Sequence, residues 1–432
     1  MKRITVVLFA VLVAAGAVFA QELTFSGELR TGFYLEQEQI GDLEPVARGG
    51  MTNTDGYSGY GQGRIRMNFD FTYENVGLRT GFQIEPPGEL GPFFPTWNFA
   101  YAYGNLFNDQ LTVSAGLLGE SPWGTGGPEL RRDPENREYW TRNKLSNDPY
   151  VLTEALMGIR FEYKPFFVPG LNVGFTLNQP DQKAVDVTKL KFDDLLGESV
   201  IGIAYEHEYF AARIGYRFDS KADLYSDQNA EEGGRLTYRL EERVLGTLVN
   251  GMKVWLNGCY YGIGCEQQEI ERMVNGELKK LIFGSGEYCD NWLYWLWDAD
   301  SFIAQFNTRF AMYKTYKNNG FPIFERQEYK SLEFRPAFYY KFFNNLLQAG
   351  VRLGFGMEFG EGKTYKDSPY QYIFVEPQIR FNLNSNAYLA LVYNFTDKYA
   401  WWIEDRGVPV EGVKEGDKSV KHSVNLRAVY TF

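Results

Sequence analysis

Thirteen consecutive residues, Leu347 to Phe359, read LQAGVRLGFGMEF and alternate without a fault. One face would carry Leu347, Ala349, Val351, Leu353, Phe355, Met357 and Phe359. The other would carry Gln348, Gly350, Arg352, Gly354, Gly356 and Glu358. A period of two is the signature of a β-strand that is apolar on one side and wet on the other. Strands of soluble proteins average about five or six residues, whereas crossing a bilayer at a tilt takes about nine to eleven.

The pattern recurs along the chain. Leu23, Phe25, Leu29 and Phe33 alternate with Thr24, Ser26, Glu28 and Arg30; Ile65, Met67, Phe69 and Phe71 alternate with Arg64, Arg66, Asn68 and Asp70. Phe302, Phe306 and Phe310 stand against Gln305, Asn307 and Arg309, and Leu332, Phe334 and Phe338 against Glu333, Arg335 and Lys341. Pro336 removes a ladder donor inside that last run, so a bulge or local defect is expected there. We place strands at 22–35, 60–74, 76–85, 96–104, 110–119, 153–163, 171–178, 198–207, 209–219, 232–242, 248–262, 288–298, 301–314, 328–343, 345–359, 370–383, 386–396 and 419–432. That is about eighteen strands. Those at 232–242, 248–262 and 288–298 are weakly patterned, which leaves sixteen open. Short connections (Glu74-Asn75, Asn344, Asn384-Ser385) alternate with long ones (36–59, 120–152, 179–197, 263–287, 397–418). Transmembrane barrels show this asymmetry, with an even strand count.

The chain begins MKRITVVLFAVLVAAGAVFA: Lys2 and Arg3, an apolar run, then Val18-Phe19-Ala20. This reads as a secretory signal cut after Ala20, leaving residues 21–432 as one barrel domain. The cut takes out two bases and no acid, so the net charge falls from −11 to −13. Aromatic residues make up 17% of the chain, yet the mean hydropathy is −0.36. After residue 20 no stretch is long and apolar enough for a membrane helix. Three cysteines, Cys259, Cys265 and Cys289, are too few for a disulfide scaffold. Cys265 and Cys289 can pair across one loop, or all three remain free thiols.

The end of the chain is HSVNLRAVYTF, with apolar or aromatic residues at Val424, Leu426, Ala428, Tyr430 and Phe432. Termini are usually frayed and polar; this one alternates to its last residue. On that feature and the strand pattern, the mature chain resembles a Gram-negative outer-membrane β-barrel of the porin type. The glycine- and aromatic-rich composition is also similar to porin-like proteins of spirochaetes. The resemblance implies that Val424, Leu426, Tyr430 and Phe432 form the signal read by the barrel-assembly machinery. The expected fold is an all-β, closed antiparallel transmembrane barrel. No plug domain is expected, because the first strand begins about two residues after the cut. The expected location is the outer membrane, with lipid around the barrel. Porins often trimerise, so an oligomer is compatible with this reading, although nothing in the sequence marks a trimer face.

A barrel of this size leaves an aqueous lumen. Alternation puts Arg30, Arg64, Arg66, Arg79, Arg160, Arg213, Arg309, Arg335, Arg352, Arg380 and Arg427 on the polar, pore-lining side, with Arg217, Arg235 and Arg239. Such a wall either favours anionic solutes or pairs with Glu28, Asp70, Glu162, Glu241, Glu333 and Glu358 to hold the barrel's shape. Pairing is expected for most of these arginines. Loop 120–152, with Trp123, Arg131, Arg132, Glu135, Arg137 and Trp140, is the candidate constriction; the other reading is a surface loop. Tyr34, Tyr339 and Tyr388 should point inward.

Chemistry is not expected. The two histidines are His207 and His422. His422 adjoins Ser423, but successive strand residues face opposite sides. No metal-ligand spacing, phosphate loop or dinucleotide motif occurs, so no cofactor, metal or nucleic acid is expected. The expected function is passive diffusion of small hydrophilic solutes. The alternatives are a selective channel or exporter for anionic solutes such as acidic saccharides, and a closed structural or adhesive barrel.

Overall fold

The computed structural model describes residues 22–51, 64–84, 95–118, 122–123, 156–178, 199–218, 234–263, 268–274, 277–283, 288–314, 328–361, 370–399 and 417–432. The strands are β1 (Glu22–Ile40), β2 (Val46–Met51), β3 (Arg64–Tyr73), β4 (Val76–Ile84), β5 (Pro95–Leu106), β6 (Leu111–Leu118), β7 (Leu156–Tyr163), β8 (Leu171–Asn178), β9 (Val200–Glu206), β10 (Phe210–Arg217) and β11 (Gly234–Glu242). A one-turn helix, α1 (Val244–Leu248), leads to β12 (Met252–Ile263). Then follow β13 (Gln268–Val274), β14 (Glu277–Phe283), β15 (Tyr288–Asp298), β16 (Phe302–Lys314), β17 (Glu328–Phe342), β18 (Leu347–Glu361), β19 (Tyr370–Asn384), β20 (Ala387–Tyr399) and β21 (Lys418–Thr431).

Each of the eighteen expected strands is present. Antiparallel neighbours run from β1 through β3 to β12, then β15 to β21, and β21 pairs with β1. The ring is therefore closed at eighteen, and the three weakly patterned strands belong to it as β11, β12 and β15. Closure leaves no unpaired edge, which hydrocarbon would not tolerate.

The seam uses the last residue. Phe432 and Gly27 exchange both backbone hydrogen bonds, at 2.7 and 3.0 Å. The Phe432 ring lies 5.1 Å from Phe25 and 5.7 Å from Tyr430. A Cβ at Gly27 would stand 2.6 Å from that ring and 2.4 Å from the Arg66 carbonyl oxygen. Glycine at 27 thus makes room for the terminal aromatic.

The two faces have inverted polarity compared with a soluble protein. On β21, Leu426 is 52% exposed, while its neighbours Asn425 and Arg427 are 0% and 3% exposed. Leu391, Ile379, Leu353, Phe338 and Phe306 repeat the exposed apolar face on the preceding strands. An apolar exterior around a polar interior is the membrane arrangement.

Short turns gather at one end. The left-handed residues Glu74, Asn108, Asp109, Asn344 and Asn345 sit in them; asparagine and aspartate tolerate that conformation better than most residues. Pro336 causes a gap rather than a bulge. The β17–β18 ladder skips Arg335 and Pro336 and resumes in the same register, from Phe334↔Phe355 to Ala337↔Arg352.

Three further strands lie in connections expected to be loops. β1 runs past its expected end at 35 to Ile40, and β2 pairs with its far end. β13 and β14 form a separate hairpin within 263–287. Its register joins Val274 to Glu277, and the two residues between are Asn275-Gly276, the strongest short hairpin signal.

Candidate functional site

The lumen wall is built from the inward positions of the ring, and its charges are arranged in chains. Arg309 on β16 grips Asp290 on β15 with two hydrogen bonds, Nε to Oδ1 at 2.9 Å and Nη2 to Oδ2 at 2.8 Å. Its Nη1 reaches Glu333 Oε1 on β17 at 2.5 Å, and Arg335 Nη2 donates to Glu333 Oε2 at 2.9 Å. All four side chains are buried. Arg352 on β18 binds Glu376 on β19 at 2.5 Å, and Asn394 on β20 donates to the other carboxylate oxygen at 3.1 Å. Lys421 on β21 pairs with Glu36 on β1 at 2.6 Å. Charge-assisted, bidentate pairs of this kind hold geometry as well as energy.

The remaining expected arginines fall as follows. Arg30 pairs with Glu28 at 2.5 Å, Arg79 with Asp70 at 2.6 Å, and Arg213 with Glu206 at 3.2 Å. Arg239 pairs with Glu241 at 3.1 Å, and Arg160 stands 3.9 Å from Glu162. Arg380 lies 3.8 Å over the Tyr388 ring. Arg217, Arg235 and Arg427 are buried on the same face. Arg66 is opposite Glu28 in the β1–β3 ladder, and Arg64 is opposite Arg30. The side chains of Arg64 and Glu358 lie outside the described residues. Asp290, Glu376, Glu36 and Lys421 had not been singled out, although the parity of their strands puts them on the charged face.

Trp123, five residues beyond the end of β6, lies inside the lumen. This indole is 0% exposed. A Cβ on Gly174 or Gly202 would lie 2.4 or 2.2 Å from it. Gly202 shares the inward face of β9 with Val200 and Ala204, which pack on the same indole. Two glycines on adjacent strands therefore form a flat seat for it. Arg131, Arg132, Glu135, Arg137 and Trp140 lie outside the described residues.

No family model matches this sequence, and no characterised protein matches it in sequence. Solved structures do match. The anion-selective porin of Comamonas acidovorans aligns over 95% of this chain and 99% of its own, at 12% identity and a TM-score of 0.50. The chain has the porin fold. The outer-membrane channel DcaP of Acinetobacter baumannii is 10% identical, covering 95% of this chain and 97% of its own at a TM-score of 0.46. OmpT, an outer-membrane protein of Vibrio cholerae, is 12% identical over 95% and 97%, at 0.45. A closed strand barrel with an apolar exterior and a charged interior resides in the outer membrane of a Gram-negative cell.

This porin barrel also carries aromatic residues inside. Tyr388 is buried in the wall with Ala390, Val392 and Val429, and Tyr34 and Tyr339 occupy inward positions of β1 and β17. Two groups went unrecognised in the sequence. On β12 and β15, Trp255, Tyr294 and Trp292 stack in sequence at 5.0 and 5.8 Å. Arg239 lies over Trp255, and Arg309 and Arg335 over Trp292. On β5, a register shift leaves Asn98 without a partner: Gly81 pairs with Phe99, but Phe82 pairs with Trp97. That bulge turns Phe99, Tyr101 and Tyr103 to the inside and leaves Ala100 and Ala102 outside. Re-aiming side chains is what bulges do. Phe99 lies over Gly81 and Tyr103 over Gly77, where a Cβ would come within 2.6 and 2.4 Å of the rings.

His422 and Ser423 are on opposite faces: Ser423 is buried inside, and exposed His422 meets the Tyr393 hydroxyl at 2.7 Å. His207 sits in the β9–β10 turn and accepts from the Tyr209 backbone N–H at 3.3 Å. Cys259 faces inward and Cys289, paired with outward Tyr260, faces outward, so the two do not pair with each other; Cys265 lies outside the described residues.

Proposed function

We propose that this barrel is a channel through which small hydrophilic solutes cross the outer membrane by passive diffusion. The observation that supports it best is the closed eighteen-strand ring with charged residues inside and apolar residues outside. Barrels of sixteen to eighteen strands are too wide for side chains to fill and hold water. Flux then follows the solute gradient, and no bond is made or broken. Trp123 narrows the lumen where it lies on β8 and β9.

The arginines act mainly in pairs. Arg30, Arg79, Arg213, Arg309, Arg335 and Arg352 each face a carboxylate, so the wall is locally neutral at these positions. That favours general diffusion over strong anion selectivity. Residues 1–20 direct export. Val424, Leu426, Tyr430 and Phe432 present the strand that the assembly machinery recognises, and the barrel works without cofactor, metal or catalysis.

The test is single-channel conductance of the refolded mature chain in a planar bilayer, under a salt gradient. Large, stable steps with weak ion preference are expected. Strong anion preference would move the assignment to a selective channel for anionic solutes. A folded, heat-modifiable barrel that gives no steps would overturn the channel and leave a closed structural or adhesive barrel.

A further inference from the structure

A cavity of about 420 Å³ lies on the wall over β1, β3, β4 and β5, and Arg160 of β7 also lines it. Its volume is within the range of small-molecule sites. Two adjacent cross-strand rows make its floor. Ser26, Asn68, Gly81 and Phe99 stand in one, and Thr24, Asp70, Arg79 and Tyr101 in the next. We propose that this cavity is a binding site for a neutral hydroxylated ring, that is, an uncharged monosaccharide. The proposal deepens the channel reading and rests on it only in needing the lumen open to water.

One side of the cavity is aromatic. The bulge at Asn98 turns Phe99 and Tyr101 inward, and their ring centroids lie 6.0 Å apart, tilted by 52°. The floor beside them carries no side chains: Gly81 is opposite Phe99, Gly116 opposite Tyr101, and Gly158 opposite Gly116. Phe99 covers Gly81, where a Cβ would come within 2.6 Å of its ring. Two rings beside a glycine floor offer an apolar surface that suits the C–H face of a sugar ring.

The other side is polar and has hydrogen-bonding capacity to spare. Asn68 Oδ1 leans over the same glycine, 2.7 Å from where its Cβ would be. That oxygen is buried and has no hydrogen-bond partner, whereas buried polar groups are normally paired. Ser26 beside it and Thr24 in the next row are exposed to the lumen, and among the described residues their hydroxyls make no hydrogen bond. The charges, in contrast, are spent. Arg79 donates Nε to Asp70 at 2.6 Å and is also hydrogen-bonded to Tyr101, and Arg160 is ion-paired with Glu162. Each charged lining residue thus has an opposite charge beside it, which favours a solute without net charge. One ring hydroxyl donates to Asn68 Oδ1, and others exchange hydrogen bonds with Ser26 and Thr24. A bare hydrocarbon ring would leave these groups unmatched, and an open-chain polyol would give the two aromatic rings no face to cover.

The test is saturation-transfer NMR on the refolded mature chain, in a deuterated detergent without a sugar headgroup. Glucose is the probe, with glucuronate, mannitol and cyclohexanol as comparators. Saturable glucose binding is expected, tighter than that of any comparator. Phe99→Leu keeps an apolar side chain over Gly81 and removes the flat face; it should weaken binding roughly two- to tenfold. Asn68→Ala removes the unpaired acceptor and should weaken it by a similar factor. Ser26→Ala, at an exposed position, should fold normally and weaken it about twofold or more. No saturable glucose binding by a heat-modifiable barrel, equal or tighter binding of any comparator, or unchanged affinity in all three variants would each overturn the site. Binding in detergent does not require conduction, so a barrel that conducts but does not bind refutes this site alone. One that binds but does not conduct refutes the diffusion channel alone.

Discussion

Among the described residues, Glu333 is a carboxylate whose charge two buried guanidiniums depend on. It is 0% exposed and lies between two buried guanidiniums, those of Arg309 and Arg335. With Asp290 the set holds two acids and two bases, so it is neutral as built. Glu333→Gln keeps the shape and one acceptor oxygen, but it strands one positive charge between β16 and β17. Breaking a buried pair by removing one partner costs about 3–5 kcal/mol. The retained amide contact puts the expected loss at the low end, about 3 kcal/mol. Asp70→Asn changes the same chemistry at the half-exposed Arg79, and solvent screening should hold its cost to about 1 kcal/mol or less. Adding Arg335→Gln to Glu333→Gln restores neutrality and should recover at least half of the loss. Urea unfolding in phospholipid vesicles, followed by tryptophan fluorescence and gel mobility, measures all four proteins. A Glu333→Gln loss no larger than that of Asp70→Asn, or no recovery in the double variant, would refute the claim that this chain of charges braces the wall.

Other positions give separate checks. Trp123→Ala should destabilise the barrel by about 3–5 kcal/mol, as large buried aromatics do when truncated, and raise single-channel conductance by freeing the space on β8 and β9. Gly202→Val would place its first side-chain carbon 2.2 Å from that indole and should raise conductance in the same way; unchanged conductance in both variants would argue against a constriction there. Gly27→Val should displace the Phe432 ring and lower the yield of heat-modifiable barrel on refolding into vesicles, to about the yield seen when Phe432 is deleted. Normal yield would separate seam packing from the terminal strand's role.

The ring was legible because membrane strands carry their address in every second residue. In LQAGVRLGFGMEF the lipid face and the wet face can be read directly, and β18 has them so. Weakly patterned β12 and β15 obscured the strand count for a physical reason: their inward faces carry Trp255, Trp292 and Tyr294, so apolar residues occur on both sides and the period fades. Partner choice was less legible than facing. Parity puts Glu333 and Arg309 on the wall, but only the register, Arg309↔Glu333, makes them neighbours. The bulge at Asn98 was the hardest to see, because WNFAYAY alternates perfectly and gives the wrong face for three of its four aromatics. The sign that was present lies in the strand before it. Gly77 and Gly81 lie on the inward side of β4, opposite Tyr103 and Phe99. Glycine weakens a strand interior and offers nothing to pack, so its repetition at inward positions implies that something else covers it. Gly174 and Gly202 under Trp123, and Gly354 under Phe374, follow the same rule. In this chain the inward glycines 77, 81, 174, 202 and 354 each mark where an aromatic ring lies against the wall, and those rings join the paired arginines in shaping what the lumen can hold.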